Sequence, residues 1–362
     1  MTQENGNKEN KPSSGHGKKK YSSLLLVVIV LLLACGGGFA AAKIAGMNKQ
    51  DADLSRGITQ AGVDDTADSK QSGDPDDLDF YDPDSSQAWG RRVEYNGLTY
   101  TKKSNLKTIL FLGIDNATDN HGQVIGNSGR ADSIILFVLD SKNKTIQMLS
   151  VSRDTIVNVD VYDTLGEFIY SGEMQLTMQY AFGNSAKRSC RLMQRRVGEL
   201  IHGIDLDGYF SITMDGLPVI IDGIGGLTLT MPEDYSDIDP AYTKDAVITM
   251  SGKEALRFIR YRDKSTLGSN NTRMDRDSWL ISELFRQMHK GRFSISKLLD
   301  LADEYIETDL DGDTIKAFTS YSFLKERLTM PGTDGEGYGR DEYYVDDEAL
   351  IPILLDLYYE VK

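Results

Sequence analysis

The chain has 362 residues, 40% of them hydrophobic and 26% charged, which suits a folded protein of one large domain or two smaller ones. Acidic residues outnumber basic ones by 55 to 40, giving a formal net charge of −15. This balance argues against nucleic acid as a partner, because the phosphate backbone repels so acidic a protein. Cys35 lies in an apolar run and Cys190 lies far from it, so we expect no disulfide framework.

A basic tail and an uncharged segment open the chain. Residues 21–42 contain no charge and, at roughly 1.5 Å per residue, are long enough to cross the bilayer core as a helix. Three lysines at positions 18–20 precede them, and the positive-inside rule then keeps the N-terminus in the cytoplasm. We therefore predict a single-pass protein of the cell membrane, with a cytoplasmic tail at residues 1–20, a transmembrane signal anchor at residues 21–46 and an extracellular C-terminal domain.

Two alternatives to an uncleaved anchor remain open. The small residues at positions 40–42 fit a signal-peptide cleavage site, and Leu32-Leu33-Ala34-Cys35 loosely resembles a lipoprotein cleavage box. The length of the uncharged run and the bulky Leu33 favour the anchor. All three interpretations place the rest of the chain outside the membrane, so the functional argument does not depend on the choice.

Residues 47–92 are predicted to form an acidic extracellular linker. Between positions 47 and 88, eleven aspartates stand against three basic residues. A segment with so little apolar surface and so much like charge does not fold alone, and it reads as an extended spacer.

A folded domain is predicted from residue 93 to residue 362, opening with a hairpin around Asn96-Gly97. Continuous apolar runs predict buried strands, and apolar residues at helical spacing predict helices. In chain order these patterns give strands at residues 108–113, 133–139 and 145–151, helices at 176–182 and 190–201, a strand at 209–214, a helix or apolar crossover at 217–224, a strand at 227–231, helices at 253–259 and 277–289, a surface loop at 332–339, a final strand around Tyr343-Tyr344 and a helix at 350–357. The alternation predicts an α/β sheet flanked by helices.

Several common catalytic motifs are missing from the sequence. There is no G-x-x-x-x-G-K-[ST] phosphate loop and no G-x-S-x-G nucleophile elbow. None of the four histidines is spaced as a zinc pair with cysteine or another histidine. Serine hydrolase and zinc hydrolase activities are therefore disfavoured.

Two carboxylates flank the first two predicted strands of the domain. Asp115 follows the strand at 108–113, and Asp132 directly precedes the strand at 133–139. If these strands are neighbours, the two acids meet at one edge of the sheet and suit a hard cation such as Mg²⁺. The alternative is that both are turn or cap residues.

Arginines supply the other half of the candidate site. Arg153-Asp154 follows the strand at 145–151, either as part of a site or as a structural ion pair in a turn. Five further arginines fall within twenty residues, namely Arg257, Arg260, Arg262, Arg273 and Arg276. Guanidinium groups fit phosphate oxygens bidentately, so the cluster indicates a pyrophosphate site. The alternative is a solvated basic helix face, which an expected loop at residues 268–271 disfavours.

Six strings stand in order between about residue 93 and residue 330: residues 109–115 ending in Asp115, Arg130-Ala-Asp132-Ser, Ser150-Val-Ser-Arg153-Asp154-Thr155, Asp222-Gly-Ile-Gly225-Gly226, Gly252-Lys-Glu-Ala255-Leu256 with Arg260-Tyr-Arg262, and Arg273-Met-Asp-Arg276. Taken together, these strings resemble the LytR-CpsA-Psr family of cell-wall proteins. Each string alone is weak, whereas six in register behind a membrane anchor are specific.

The resemblance implies a fold, a reaction and a set of roles. The fold is a central mixed β-sheet with helices on both sides and an apolar pocket for a polyprenyl chain. The reaction is transfer of a glycopolymer, such as teichoic acid or capsule, from undecaprenyl pyrophosphate at the cytoplasmic membrane to a peptidoglycan hydroxyl. Asp115 and Asp132 would hold Mg²⁺; Arg130, Arg153, Arg260, Arg262, Arg273 and Arg276 would bind the pyrophosphate; and Arg153, Asp154 and Arg130 would act in catalysis, Asp154 either orienting Arg153 or serving as the base for the acceptor hydroxyl.

The sequence also departs from the family pattern. Asp277 stands where the family often has glutamine, Asn270-Asn271 replace a common acid, and Ser152 replaces a frequent proline. The first two departures bear on pyrophosphate binding. They leave open a non-catalytic polyprenyl-pyrophosphate-binding envelope regulator, and a lipid-pyrophosphate hydrolase with water as acceptor is a further alternative.

Overall fold

The computed structural model describes residues 89–115, 129–261, 269–290, 301–311, 314, 321–337 and 340–362. The predicted anchor at residues 21–46 and the linker up to residue 88 lie outside these ranges. Among the described residues, none of the helices combines the length and the apolar character that crossing a membrane requires.

The described part of the chain alternates between strands and helices. In chain order the strands are β1 (Arg92–Tyr95), β2 (Leu98–Lys102), β3 (Leu106–Asp115), β4 (Arg130–Asp140), β5 (Thr145–Val151), β6 (Ile156–Tyr162), β7 (Phe168–Gln175), β8 (Gly208–Thr213), β9 (Leu227–Thr230), β10 (Val247–Met250), β11 (Ile306–Thr308), β12 (Ser322–Thr329), β13 (Gly332–Gly337), β14 (Arg340–Val345) and β15 (Tyr359–Val361). The helices are α1 (Thr177–Ala181), α2 (Ala186–Leu200), α3 (Gly216–Gly223), α4 (Gly252–Arg260), α5 (Ser269–Lys290) and α6 (Asp347–Tyr358).

A six-stranded sheet in the order β11-β8-β3-β4-β5-β12 forms the centre of the domain. The strands β3, β4 and β5 are antiparallel neighbours, whereas β8 and β12 lie parallel to β3 and β5. The sheet is therefore mixed, as the family resemblance implies. Its central strands read as continuous apolar runs because both faces are covered.

Each face of the sheet packs against its own set of helices. On one face Phe111 and Phe137 pack with Phe258 of α4 and with Trp279 and Leu280 of α5. The other face packs against helices α1, α2 and α6, through residues that include Tyr180, Met193, Val197, Leu350 and Leu354. The prediction of helices on both sides of the sheet is confirmed.

Local sequence signals explain several element boundaries. Asn96 and Gly97 have positive φ values of 50° and 75°, as a tight turn between β1 and β2 requires. Helix α4 starts at a capping box, because the Ser251 hydroxyl accepts from the Glu254 N–H and the Glu254 carboxylate accepts from the Ser251 N–H.

Three expectations are corrected by the structure. Helix α5 already begins at Ser269, so Asn270 and Asn271 belong to the helix and not to a loop. The glycine-rich segment is strand β13 for most of its length, because it pairs in register with β14. The strand around Tyr343-Tyr344 is not the last one, since β15 follows helix α6 and pairs with β2.

Candidate functional site

The candidate site lies at the edge of the sheet where β3 ends and β4 begins. Asp115 is paired in register with Arg130 across these two strands. One step further in, the register runs from Gly113↔Ser133 to Ile114↔Ala131, so that Asp132 is the extra residue of a β-bulge. A bulge redirects side chains at a strand end. Both predicted metal-binding aspartates therefore lie at one sheet edge.

Asp132 is buried and accepts hydrogen bonds from two arginines. Arg153 Nη1 donates to Asp132 Oδ1 through a very short contact, and Arg273 Nη1 lies 3.5 Å from Oδ2. Arg273 Nη2 also donates to the Asp132 main-chain oxygen at 2.7 Å. Burial would raise the pKa of Asp132, but the charges of Arg153, Arg273 and Arg130 outweigh it, and its pKa is lowered. Asp132 is therefore an ionised carboxylate held between guanidinium groups.

Arg153 is a buried cation enclosed by two carboxylates. Its side chain is 7% exposed and lies between Asp132 and Asp154, with Nε 3.3 Å from Asp154 Oδ1. Burial alone would lower the pKa of Arg153, but the two carboxylates raise it. The tight turn after β5 presents this pair, since the Thr155 N–H donates to the Ser152 oxygen at 3.2 Å.

Asp115 and Arg260 form the solvent-facing part of the site. Arg260, the last residue of α4, donates from Nη2 to Asp115 Oδ1 at 2.8 Å. The Arg260 side chain is 45% exposed, whereas the Asp115 side chain is 15% exposed. The structure thus gathers Arg130, Arg153, Arg260 and Arg273 around Asp115, Asp132 and Asp154.

The remaining predicted arginines have other positions. Arg276 donates from Nη2 to the Tyr261 oxygen and lies over the Phe258 and Tyr261 rings, so its contacts tie α5 to the end of α4. Arg257 is exposed and pairs with Asp239 at 2.6 Å, away from the aspartates of the site. Arg262 lies outside the described residues. A role for Arg276 or Arg262 at the pyrophosphate stays a prediction.

An apolar crevice lies next to the charged cluster, between the sheet and helices α3 to α5. Its lining includes Phe111, Met214 and Leu280, and Asp277 stands at its charged end. The volume of about 40 Å³ holds only a few water molecules. The lining is apolar but the volume is too small for a polyprenyl chain, so the lipid pocket that the family resemblance implies stays a prediction.

Asp277 is a buried carboxyl at the junction of crevice and arginine cluster. Its side chain is 5% exposed, and Oδ2 lies 4.0 Å from Arg273 Nε. Within the described residues Oδ1 accepts no hydrogen bond. Burial raises the pKa of Asp277 to about 7, because Arg273 and Arg276 compensate only part of the desolvation. The negative charge that the sequence places here is therefore partly neutralised by protonation near neutral pH.

The donor set at the sheet edge is compatible with Mg²⁺. Within the described residues no three His, Cys, Asp or Glu side chains are grouped to hold a metal ion. Mg²⁺, however, usually takes only one or two carboxylates and completes its shell with phosphate oxygens and water. Asp115 and Asp132 supply such a pair at one edge, where the guanidinium groups also attract phosphate.

Sequence reasoning missed the residues that support the charged cluster. Gln175 donates from Nε2 to Asp154 Oδ1 at 2.8 Å, and Thr177 Oγ1 lies 3.5 Å from Asp132 Oδ1. The Ser150 and Ser278 hydroxyls form a hydrogen bond of 2.9 Å that joins α5 to β5. No periodicity or motif marks these polar residues, because their roles depend on which strands and helices become neighbours.

Comparisons with known proteins give a consistent picture. The LytR_cpsA_psr family profile matches residues 72–351. The polyisoprenyl-teichoic acid–peptidoglycan teichoic acid transferase TagV of Bacillus subtilis is 28% identical over 281 residues, which span 70% of this chain and 67% of that protein. TagU of Oceanobacillus iheyensis, a transferase of the same description, is 28% identical over 268 residues, 72% of this chain and 77% of its own. The crystal structure of B. subtilis TagV matches with a TM-score of 0.51 at 26% identity, covering 70% of this chain and 96% of that one.

Proposed function

Because the chain belongs to the LytR_cpsA_psr family, we propose that it is a phosphotransferase that moves a glycopolymer from a polyprenyl pyrophosphate carrier to peptidoglycan. The observation that carries this proposal is the cluster of Arg153, Asp132 and Arg273, buried beside an apolar crevice. The similar proteins TagV and TagU transfer teichoic acid, which makes a teichoic acid or a related anionic polymer such as a capsule chain the favoured cargo.

The charges of the site fit a pyrophosphate diester. Four guanidinium groups face three carboxylates, which leaves a positive excess in a protein whose net charge is −15. Fixed cations of this kind stabilise the charge that develops on the departing lipid phosphate, and they need no reorganisation during the reaction. Arg153 and Arg273 would contact the phosphates directly, with Arg130 and Arg260 at the rim.

In the proposed reaction, an acceptor hydroxyl of peptidoglycan attacks the phosphorus that bears the glycopolymer. The bond between this phosphorus and the oxygen bridging to the lipid phosphate breaks, and polyprenyl phosphate leaves. Asp154 either takes the proton of the hydroxyl or orients Arg153 for the leaving charge. Phosphoryl transfer of this type depends on positioning and electrostatics more than on covalent participation of the protein.

We propose Mg²⁺ as the cofactor, held by Asp115 and Asp132. A bound Mg²⁺ would supply Lewis-acid stabilisation of the phosphate oxygens. The predicted anchor at residues 21–46 and the acidic linker would keep the domain outside the cell and close to the lipid carrier in the cytoplasmic membrane.

The direct test is a transfer assay with the full-length chain in detergent, a short-chain polyprenyl pyrophosphate glycoside, Mg²⁺ and peptidoglycan oligomers. We expect label to move to peptidoglycan, and Arg153→Lys, which keeps the charge but loses the planar fork, to lower the rate. Release of free polymer phosphate without attachment would instead identify a lipid-pyrophosphate hydrolase. Tight lipid binding without turnover would identify an envelope regulator, and Asp277→Gln would then be the variant to assay for restored transfer.

A further inference from the structure

The amide of Gln175 connects the charged cluster to the C-terminal part of the chain. Gln175 is the last residue of β7, and its Nε2 donates to Asp154 Oδ1 at 2.8 Å and to the Asp341 main-chain oxygen at 2.7 Å. Both amide hydrogens are therefore used, one on the site and one on β14. The side-chain amide is held by two hydrogen bonds from the same nitrogen and cannot turn without breaking one of them.

The backbone of β14 holds Asp154 from a second direction. The Tyr343 N–H donates to the Asp154 main-chain oxygen at 3.0 Å, and Thr155 forms a parallel β-bridge with Tyr343. The Tyr343 hydroxyl donates to the Met330 oxygen at 2.7 Å, which fixes β14 to the end of β12. The β13–β14 hairpin, from the far end of the sequence, thus holds the Asp154 main chain directly and its side chain through Gln175.

Asp154 in turn determines how Arg153 is presented. Asp154 Oδ1 accepts from Gln175 and lies 3.3 Å from Arg153 Nε, so the two groups share one oxygen. Arg153 has Asp132 on its other side. A neutral amide orients the Asp154 carboxylate through a charge-assisted hydrogen bond, yet adds no second cation that would compete with Arg153 for it.

We propose that Gln175 is a positioning residue of the transfer reaction, which acts on Arg153 through Asp154 and is itself set by the β13–β14 hairpin. This inference rests on the proposed function for its kinetic effect. It also has a consequence independent of turnover, because an Arg153 guanidinium that is poorly oriented binds pyrophosphate less well.

The chain offers a matched control in Gln147 on β5. Like Gln175, it donates two hydrogen bonds from Nε2. Both go to main-chain oxygens, of Glu326 at 2.7 Å and of Met148 at 3.1 Å, and neither reaches the charged cluster. Replacing either glutamine by methionine keeps the length of the side chain and removes the same number of donors. Both variants lose two hydrogen bonds from the side-chain amide, and only Gln175→Met disturbs the site.

The experiment compares Gln175→Met with Gln147→Met in the full-length chain in detergent. The dissociation constant of a sugar-free short-chain polyprenyl pyrophosphate, kcat/KM for transfer and the melting temperature are measured for both. We expect Gln175→Met to lower kcat/KM by about 10- to 100-fold and to weaken lipid binding several-fold, since misplacement of a catalytic group by about 1 Å can cost about 100-fold in rate. Gln147→Met should change only the melting temperature.

A double-mutant cycle separates positioning from general damage. In an Asp154→Asn background, Gln175→Met should weaken lipid binding no further, because its effect passes through the Asp154 carboxylate. Equal binding constants for Gln175→Met and Gln147→Met, or additive losses in the cycle, would overturn the inference. Absence of transfer by the unmodified chain would refute the proposed function, while the binding constants would still decide the role of Gln175.

Discussion

The buried carboxyl of Asp277 gives the sharpest prediction for stability. It lies at the charged end of the apolar crevice, 4.0 Å from Arg273 Nε, and its pKa is raised to about 7 by burial. Replacing it by asparagine keeps the shape of the side chain and removes the titrating group. We expect Asp277→Asn to be more stable than the unmodified protein at alkaline pH and not at acidic pH.

The magnitude follows from the pKa difference between the folded and unfolded states. The ordinary pKa of an aspartate is 3.8 and that of folded Asp277 is about 7, so the folded state binds the proton more tightly. The stability associated with this proton is fully present below pH 3.8 and is lost as the pH rises through about 7. At about 1.4 kcal/mol per pKa unit, the whole loss is on the order of 4 kcal/mol. The asparagine variant lacks this pH dependence.

The measurement is urea unfolding of both proteins at several pH values between 4 and 9. Asparagine adds an amide with its own cost, so the diagnostic quantity is the slope of the difference with pH and not its offset. Asp239→Asn is a control whose stability difference should stay constant over this range, because hydrogen bonds from Ala241 and Arg257 lower the pKa of that carboxylate below its ordinary 3.8 and keep it ionised. A difference between Asp277→Asn and the unmodified protein that does not change with pH would refute a protonated Asp277 and would mean that Arg273 and Arg276 keep it ionised.

Three further predictions address the site and its scaffold. Asp132→Asn leaves Arg153 and Arg273 with a neutral partner in a buried place, so we expect a loss of about 3–5 kcal/mol in the free energy of unfolding and no measurable transfer; unchanged urea unfolding would contradict this. Ser251→Ala removes the capping box with Glu254 and should cost about 1 kcal/mol while kcat/KM stays unchanged, because the cap is at the opposite end of α4 from Arg260. Chelation of divalent cations should stop transfer but leave the melting temperature unchanged, and transfer that persists in excess chelator would refute the role of Mg²⁺.

The sequence predicts the four inner strands of the central sheet, because local composition marks them, but it misses the edge strands β11 and β12. The strands β3, β4 and β5 have continuous apolar runs, and the four residues between β4 and β5 make these two antiparallel neighbours the simple arrangement. The fourteen residues between β3 and β4 leave their pairing open, and the meeting of Asp115 and Asp132 at one edge follows only once these strands pair. The bulge that singles out Asp132 does not follow, because it depends on the register of β3 with β4, to which no single residue points.

Tertiary pairing explains the elements that sequence reasoning misassigned. The segment Gly332–Gly337 has a low strand propensity, but all six residues pair with β14 and become a strand through that pairing. The role of Gln175 escaped sequence reasoning for the same reason, since its partner Asp341 lies 166 positions away along the chain. Local propensity carries no information about contacts of this range.

Asp132 resolves the physical problem of keeping cations buried in an acidic protein before any substrate arrives. Arg153 and Arg273 are each less than a tenth exposed, and without a counter-charge their burial would cost several kcal/mol each. Asp132 supplies that charge from between them, but one carboxylate does not neutralise two guanidinium groups. Asp154 supplies the second negative charge beside Arg153, so the single positive charge in excess belongs to Arg130 and Arg260, which share the Asp115 carboxylate, and an incoming phosphate would neutralise it. The carboxylates that permit Arg153 and Arg273 to be buried thus leave the unbalanced positive charge with the outer arginines of the site.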